Sequence, residues 1–221
     1  MHTHTITSRA GSATVVTEEP VEHLQATWQR GEFFETRMLE YIYWHYKGGV
    51  FVDVGAALGN HSLFFAKFCA PKFVIAVEPV PESCLRQAQV YALNRVDKLV
   101  HVYNCAVSDK GGKGAMERFG GNLGQFRLVP GKSVVVETLD SIVAKEHAKP
   151  VRLVKIDVEG HELHVLKGAA RLLDEQRPAL FVEIRNRQRH AQVTQFLSGF
   201  GYRQVGSVFQ DATAFEFTTA G

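Results

Sequence analysis

Apolar residues along this chain switch between a helical and a strand period. From Val21 to Tyr46, the residues Leu24, Trp28, Met38, Leu39, Ile42, Tyr43 and Tyr46 recur at steps of three and four, interrupted near Gly31. The spacing lines one helix face and predicts two short helices that Gly48-Gly49 ends. VFVDVG follows, a β-branched run bounded by glycine, which is the pattern of a strand covered on both faces. Further strands are predicted at Phe73–Glu78, Val100–Cys105, Arg152–Asp157 and Ala179–Ile184, after the first at Val50–Val54. Helices are predicted at Asn60–Cys69, Pro81–Asn94, Gly160–Leu173 and Gln188–Leu197. Such alternation implies right-handed crossovers, so the expected fold is α/β, a three-layer sandwich around a mostly parallel sheet. Tyr202–Val205 and Thr213–Phe217 read as two strands joined by a polar turn, which predicts an antiparallel C-terminal strand.

Two segments escape this pattern. Residues 1–20, MHTHTITSRAGSATVVTEEP, are rich in Thr and Ser, so a disordered or loosely ordered N-terminal arm is expected ahead of a single domain at 21–221. Asp109 to Lys132 holds seven of the chain's 19 glycines. A glycine-dense loop of that length is a functional lid or a disordered insertion. Phe119, Phe126 and Leu128 favour the lid, because apolar residues ill suit a solvated linker. SVVVETLDSIV then reads as a strand running into a helix capped near Asp140.

Composition narrows the partners more than the fold. A chain of 221 residues, 45% hydrophobic and 22% charged, suffices for one globular core without disulfides or a structural metal. A formal net charge of +2 argues against nucleic acid as a partner. The longest apolar stretches, about five residues, fall far short of the roughly 20 that a spanning helix needs. The N-terminus also lacks the apolar region of a signal peptide. Cys69, Cys84 and Cys105 form no CxxC pair and sit in apolar surroundings, as reduced core residues of a cytoplasmic protein would.

Candidate chemistry sits where strands end, since ligands of doubly wound sheets lie beyond the carboxyl ends of the strands. After the first strand, Gly55 and Gly59 in DVGAALGN let the backbone approach a ligand before a helix opens at Asn60. After the second comes Glu78, 19 residues beyond Gly59 and placed to accept hydrogen bonds from both hydroxyls of a ribose. A dinucleotide fingerprint begun at Gly55 requires glycine at 57 and 60, where Ala57 and Asn60 stand. Asp53 repels a phosphate and suits a cation. The combination points to S-adenosyl-L-methionine, which carries a sulfonium, an amino group and a ribose but no phosphate.

VFVDVGAALGNHSLFFA, AVEPVPE, NCAVSD, VETLD, LVKIDVEGHELHVLKGA and PALFVEI together resemble the FkbM-type methyltransferases, which use S-adenosylmethionine and have the class I, Rossmann-like methyltransferase fold. The resemblance spans roughly Phe34 to Ile184. It implies that Asp53, Gly55 and Gly59 line the methionine end of the cofactor, that Glu78 holds its ribose, and that Asn104 to Ala106 border the adenine. Where the family often has GAN, this chain has Gly55-Ala56-Ala57, and Asn60 is the candidate to replace the missing amide. Glu35, in GEFFETRML, is a candidate to close over the cofactor.

The fourth strand ends in KIDVEGHE, facing the transferred methyl in this fold, so Asp157, Glu159 and His161 are candidates to orient or deprotonate the acceptor. Histidine titrates near neutrality, which favours His161 as base with Asp157 orienting it or the acceptor. Glu159 and Glu162 have a plainer reading as carboxylates at a helix N-terminus. Glu183, ending the fifth strand, is a further candidate for acceptor contact. Asp157, Glu159, His161 and His164 are all possible metal ligands, but they lack an HExxH pattern and a catalytic metal is not expected. The resemblance implies O-methylation of a hydroxyl on a sugar, glycan or natural product; nothing in the motifs reads the acceptor atom, so nitrogen stays open. Two competing readings remain: an NAD-dependent oxidoreductase, which the absent glycines disfavour, and a non-catalytic cofactor-binding regulatory or assembly protein.

Overall fold

The computed structural model describes residues 2–18, 23–119, 125–206 and 213–219. Its first element corrects the expectation of a loose arm. β1 (His2–Ser8) and β2 (Gly11–Thr17) pair antiparallel along their full length. Ile6, Ala13 and Val15 point inward and are buried, while Thr3, Thr5 and Thr7 face outward. Threonine at the outward positions masks a period of two that is nonetheless a strand pattern, because its branched Cβ suits a pleated surface. Asn94 ties the hairpin down, accepting from the Thr14 amide at 2.9 Å and donating to the Thr14 carbonyl at 2.6 Å.

The two expected helices follow as α1 (His23–Gln29) and α2 (Thr36–His45). The predicted alternation then appears as β3 (Val50–Val54), α3 (Asn60–Phe68), β4 (Phe73–Val77), α4 (Pro81–Leu93, with proline in the first turn) and β5 (Val100–Tyr103). An excursion comprises β6 (Ala106–Val107), β7 (Gly112–Arg118), β8 (Phe126–Pro130) and β9 (Val134–Glu137). After α5 (Leu139–Lys145) the alternation resumes with β10 (Val151–Ile156), α6 (Glu162–Lys167), α7 (Ala170–Glu175), β11 (Ala179–Glu183) and α8 (Arg187–Ser198). β12 (Tyr202–Gln204) and β13 (Ala214–Thr219) complete the order.

The central sheet has the order β12-β13-β11-β10-β3-β4-β5. β11, β10, β3, β4 and β5 are parallel, and β13 runs antiparallel to both its neighbours, as the sequence predicts. Side chains alternate between two cores. Phe51, Val74, Leu153 and Phe181 face the layer of α1–α4 and the N-terminal hairpin; Val52, Ile75, Val154 and Leu180 face that of α5–α8.

Two boundaries differ from expectation. The helix predicted over Gly160–Leu173 is broken into α6 and α7 at Gly168, whose carbonyl accepts the Asp140 amide at 2.9 Å. The Asp140 carboxylate then accepts from Arg171 N and Leu172 N, which opens α7. Asp140 thus caps α7, whereas α5 is capped by Thr138, whose hydroxyl accepts from the Ser141 amide. The glycine-dense segment is not a loop over its described residues. β7 and β8 form an antiparallel hairpin within a second sheet ordered β6-β9-β7-β8, and residues 120–124 lie outside the described residues.

Candidate active site

The chain leaves β3 toward β4 and leaves β10 toward β11, so strand order reverses between β3 and β10. Gly55 sits at this reversal with φ +82°, and a Cβ there would lie 1.8 Å from the Asp157 carbonyl oxygen. Only glycine lets the two strand ends come together. The amides of Gly55 and Ala56 donate to the Val77 carbonyl at 2.9 and 3.1 Å, binding the turn to β4.

Beyond these strand ends lies a cavity of about 120 Å³ that opens to solvent. Its strand side is formed by Val54, Gly55, Ala57, Val77 and Glu78, and its far side by Cys105, Ala106 and Val107. Met116, Phe126 and Leu128 of the β7–β8 hairpin roof it. Asp157, Glu159 and His161 close one end, giving an apolar compartment with an acidic end wall.

Glu78 follows β4 and is buried in the cavity wall. Its Oε2 accepts from the Ala57 amide at 2.9 Å and its Oε1 from the Val80 amide at 2.8 Å. Burial raises its pKa to about 7 although both amides favour the carboxylate. Each oxygen keeps a second lone pair for a further donor.

The acidic end is organised around Lys155, a buried lysine within β10. Its Nζ lies 3.7 Å from Asp53 Oδ1 and 3.6 Å from Asp157 Oδ2. Burial works against its charge, but Asp157 and Asp53 outweigh burial and hold its pKa above the ordinary lysine value. Asp53 is fully buried; Oδ2 accepts from the Ser62 hydroxyl at 2.7 Å, while Oδ1 has no hydrogen-bond partner among the described residues. Burial opposes the charge of Asp157 too, yet Lys155 and a hydrogen bond from Glu183 bring its pKa below the ordinary carboxylate range. Glu183 is the counterpart: burial and the Asp157 charge push its pKa up to about 8. Arg185 bridges outward, donating from Nε to Glu183 at 2.8 Å and from Nη1 to Glu159 at 3.1 Å.

Gly55, Glu78, Ala106, Asp157, Glu159 and His161 all reach the cavity wall. Five other residues singled out as catalytic or cofactor contacts do not. Asp53, expected at the methionine end, is fully buried between Ser62 and Lys155 and is no part of the cavity wall. Gly59 turns the chain into α3 beside the Tyr91 hydroxyl. Asn60, the candidate for the missing amide, is wholly committed elsewhere: Oδ1 accepts from Trp28 Nε1 and Phe34 N, and Nδ2 donates to the Phe34 carbonyl, each at 3.0 Å. Glu35 is buried against His61 Nε2 at 2.7 Å and does not close over anything. Asn104 is at the rim, its Nδ2 donating to the Glu78 carbonyl at 3.0 Å.

His161 reaches the wall in a form that ill suits a base. Burial and the neighbouring His164 depress its pKa to about 4. Its Nε2 is 2.9 Å from the Ser108 hydroxyl, whose own proton is directed to Asp109 Oδ1 at 3.0 Å. Nε2 is then the donor and offers no lone pair. Lys155 and Arg185, which hold the carboxylates of the site, carry no mark in the sequence reading above. The signal for Lys155 was present, an ionisable side chain inside the apolar run VRLVKI. Nothing local marks Arg185, which matters only because β11 lies beside β10.

A family model, the methyltransferase FkbM domain, matches residues 53–204. Among solved structures, a methyltransferase FkbM from Methylobacillus flagellatus KT aligns with TM-score 0.58 at 18% identity, covering 77% of this chain and 43% of that one. The present chain thus spans less than half of the Methylobacillus chain. A precorrin-6y C5,15-methyltransferase from Geobacter metallireducens GS-15 aligns at 0.53 with 10% identity over 92% and 91% of the two chains. A candidate rRNA methylase from Clostridium thermocellum aligns at 0.53 with 11% identity over 83% and 94%. No curated protein matches the sequence. At such identities these likenesses concern the fold alone, and sheet, antiparallel end and cavity together define a class I methyltransferase fold. The chain belongs to the FkbM methyltransferase family. No helix among the described residues is long and apolar enough to cross a membrane.

Proposed function

We propose that this protein transfers the methyl group of S-adenosyl-L-methionine to the oxygen of a small-molecule or glycan hydroxyl. The observation that carries the reading is the division of one cavity into an apolar compartment, a two-oxygen acceptor at Glu78 and an acidic end at Asp157 and Glu159. Those parts suit an adenine, a ribose diol and a cationic methionine end respectively.

When bound, S-adenosylmethionine supplies an activated methyl on a positively charged sulfur. Gly55 and the Val77 carbonyl keep the turn in place, while Met116, Phe126 and Leu128 keep water away. Alignment in a water-poor cavity supplies most of the acceleration. Proton removal from a weakly nucleophilic hydroxyl adds about 10²–10⁴-fold. Asp157 lines the cavity, whereas the Nε2 of His161 is taken up by the Ser108 hydroxyl, which favours Asp157 over His161 as the group that receives that proton. A net charge of +2 and an acidic end wall favour an acceptor other than nucleic acid.

Ligand-dependent unfolding tests the proposal. S-adenosylhomocysteine at 100 times its Kd is expected to stabilise the protein by about 2.7 kcal/mol, roughly 5–10 °C for a chain of this size. Glu78→Gln should weaken that binding by about 1–3 kcal/mol in calorimetry. Stabilisation by NAD but not by S-adenosylhomocysteine would overturn the reading.

A further inference from the structure

A second chamber, of about 170 Å³, adjoins the proposed cofactor cavity. Asp157 and Glu159 line both, so the acidic end wall of the first is a partition between the two. On its other side the chamber is lined by Glu183, Arg185, Arg189 and Phe119. Phe119 follows β7 and lies beneath the Arg127 guanidinium, 5.8 Å from its ring centroid. An aromatic face, carboxylates and guanidinium groups around a small chamber suit a polyhydroxylated molecule better than an apolar one.

We propose that this chamber is the acceptor subsite, and that Asp157 and Glu183 act in it as one proton-sharing pair whose charge follows that of the cofactor sulfur. The inference rests on the methyltransferase reading above. The two carboxyls line the same chamber side by side, each following directly in register from the paired parallel strands β10 and β11, where Ile156 stands opposite Val182. Two carboxylates in contact do not readily ionise together, so the pair holds one proton near neutral pH, on Glu183. The charged groups around it are Asp53 on β3, Glu35 before α2, His61 on α3 and Lys155 on β10. Glu159 and Glu162 stand after β10, and Arg185 and Arg189 after β11.

A sulfonium beside the partition lowers the cost of a second negative charge, and the Glu183 proton leaves to solvent. Methyl transfer then forms the carbon–oxygen bond and breaks the carbon–sulfur bond, whose electron pair stays on sulfur. The acceptor's hydroxyl proton passes to Asp157 and is shared with Glu183. The pair returns to one negative charge just as sulfur becomes neutral. One proton is released per cycle, at cofactor binding, and the acceptor replaces it.

Calorimetric titration in buffers of different ionisation enthalpy tests this without an acceptor. S-adenosylmethionine and S-adenosylhomocysteine differ at the sulfur by one charge and one methyl. At pH 7 the wild-type protein should release close to one more proton per site on binding the sulfonium than on binding the thioether. That difference should vanish well above pH 8, where the pair is already doubly ionised. E183Q should abolish it while still binding S-adenosylhomocysteine; D157N, which alters the cofactor cavity wall as well, should abolish it with weaker binding of both ligands. Equal proton release for the two ligands in the wild-type protein overturns the proposal, as does a difference that survives in either variant. If neither ligand binds the wild-type protein, it is the methyltransferase reading that fails. Should one variant not fold, the other variant and the wild-type pH dependence still decide.

Discussion

A carbonyl oxygen decides what residue 55 can be. With the Asp157 oxygen 1.8 Å from where a Cβ would stand, Gly55→Ala must part β3 from β10 or distort the turn, and it must do so at φ +82°. We expect it to lower stability by more than about 2 kcal/mol in denaturant titration and to weaken S-adenosylhomocysteine as well. A neutral result would mean that the strand ends are not in contact. Single residues were legible where their role depends on a strand end alone, which is why Gly55, Glu78 and Asp157 emerge from the sequence. Asn60 was misread because its amide is claimed by Trp28 and Phe34. Nothing near Asn60 in the sequence announces partners 26 to 32 positions away.

At the scale of elements, the N-terminal hairpin and the β7–β8 hairpin were both hidden by composition. Threonine gives the N-terminal strands a polar character, and Gly112 and Gly114 disguise the period of β7 as irregular chain. The hairpin reading of residues 2–17 is tested by Ile6→Ala, since Ile6 is fully buried. A buried isoleucine cut to alanine costs about 2–5 kcal/mol, whereas a disordered arm would cost nothing. Met116, Phe126 and Leu128 of the β7–β8 hairpin line the cavity, which puts the lid role expected of the glycine-dense segment to a direct test. Amide hydrogen exchange over residues 112–118 and 126–130 should therefore slow when S-adenosylhomocysteine binds. Unchanged exchange at saturating ligand would reduce the hairpin to a passive wall.

Over the whole molecule, buried titratable groups set the pH response of the ligand-free protein. Burial pushes Glu78 up to about 7 and Glu183 to about 8, so between their ordinary values near 4.5 and these limits the native state binds more protons than the unfolded chain. Stability therefore falls as pH rises through that window. His161, depressed to about 4, works in the opposite sense and costs stability as pH falls from 6.5 toward 4. With two carboxyls set against one imidazole, thermal midpoints should decline from about pH 5 to pH 8, and E183Q should flatten the decline. A midpoint that rises over that range in the wild-type protein contradicts the assignment. The alternation of periods determined the α/β class, the parallel sheet and its antiparallel end, because those follow from which positions are apolar and how far apart they lie. Strand ends in sequence order likewise marked out most of one cavity wall. The tertiary structure alone decided that β10 lies beside β3, that a hairpin roofs the cavity, and that Asp157 meets Glu183. Each of these is a contact between segments remote in sequence, set by how the layers close and carried by no local pattern.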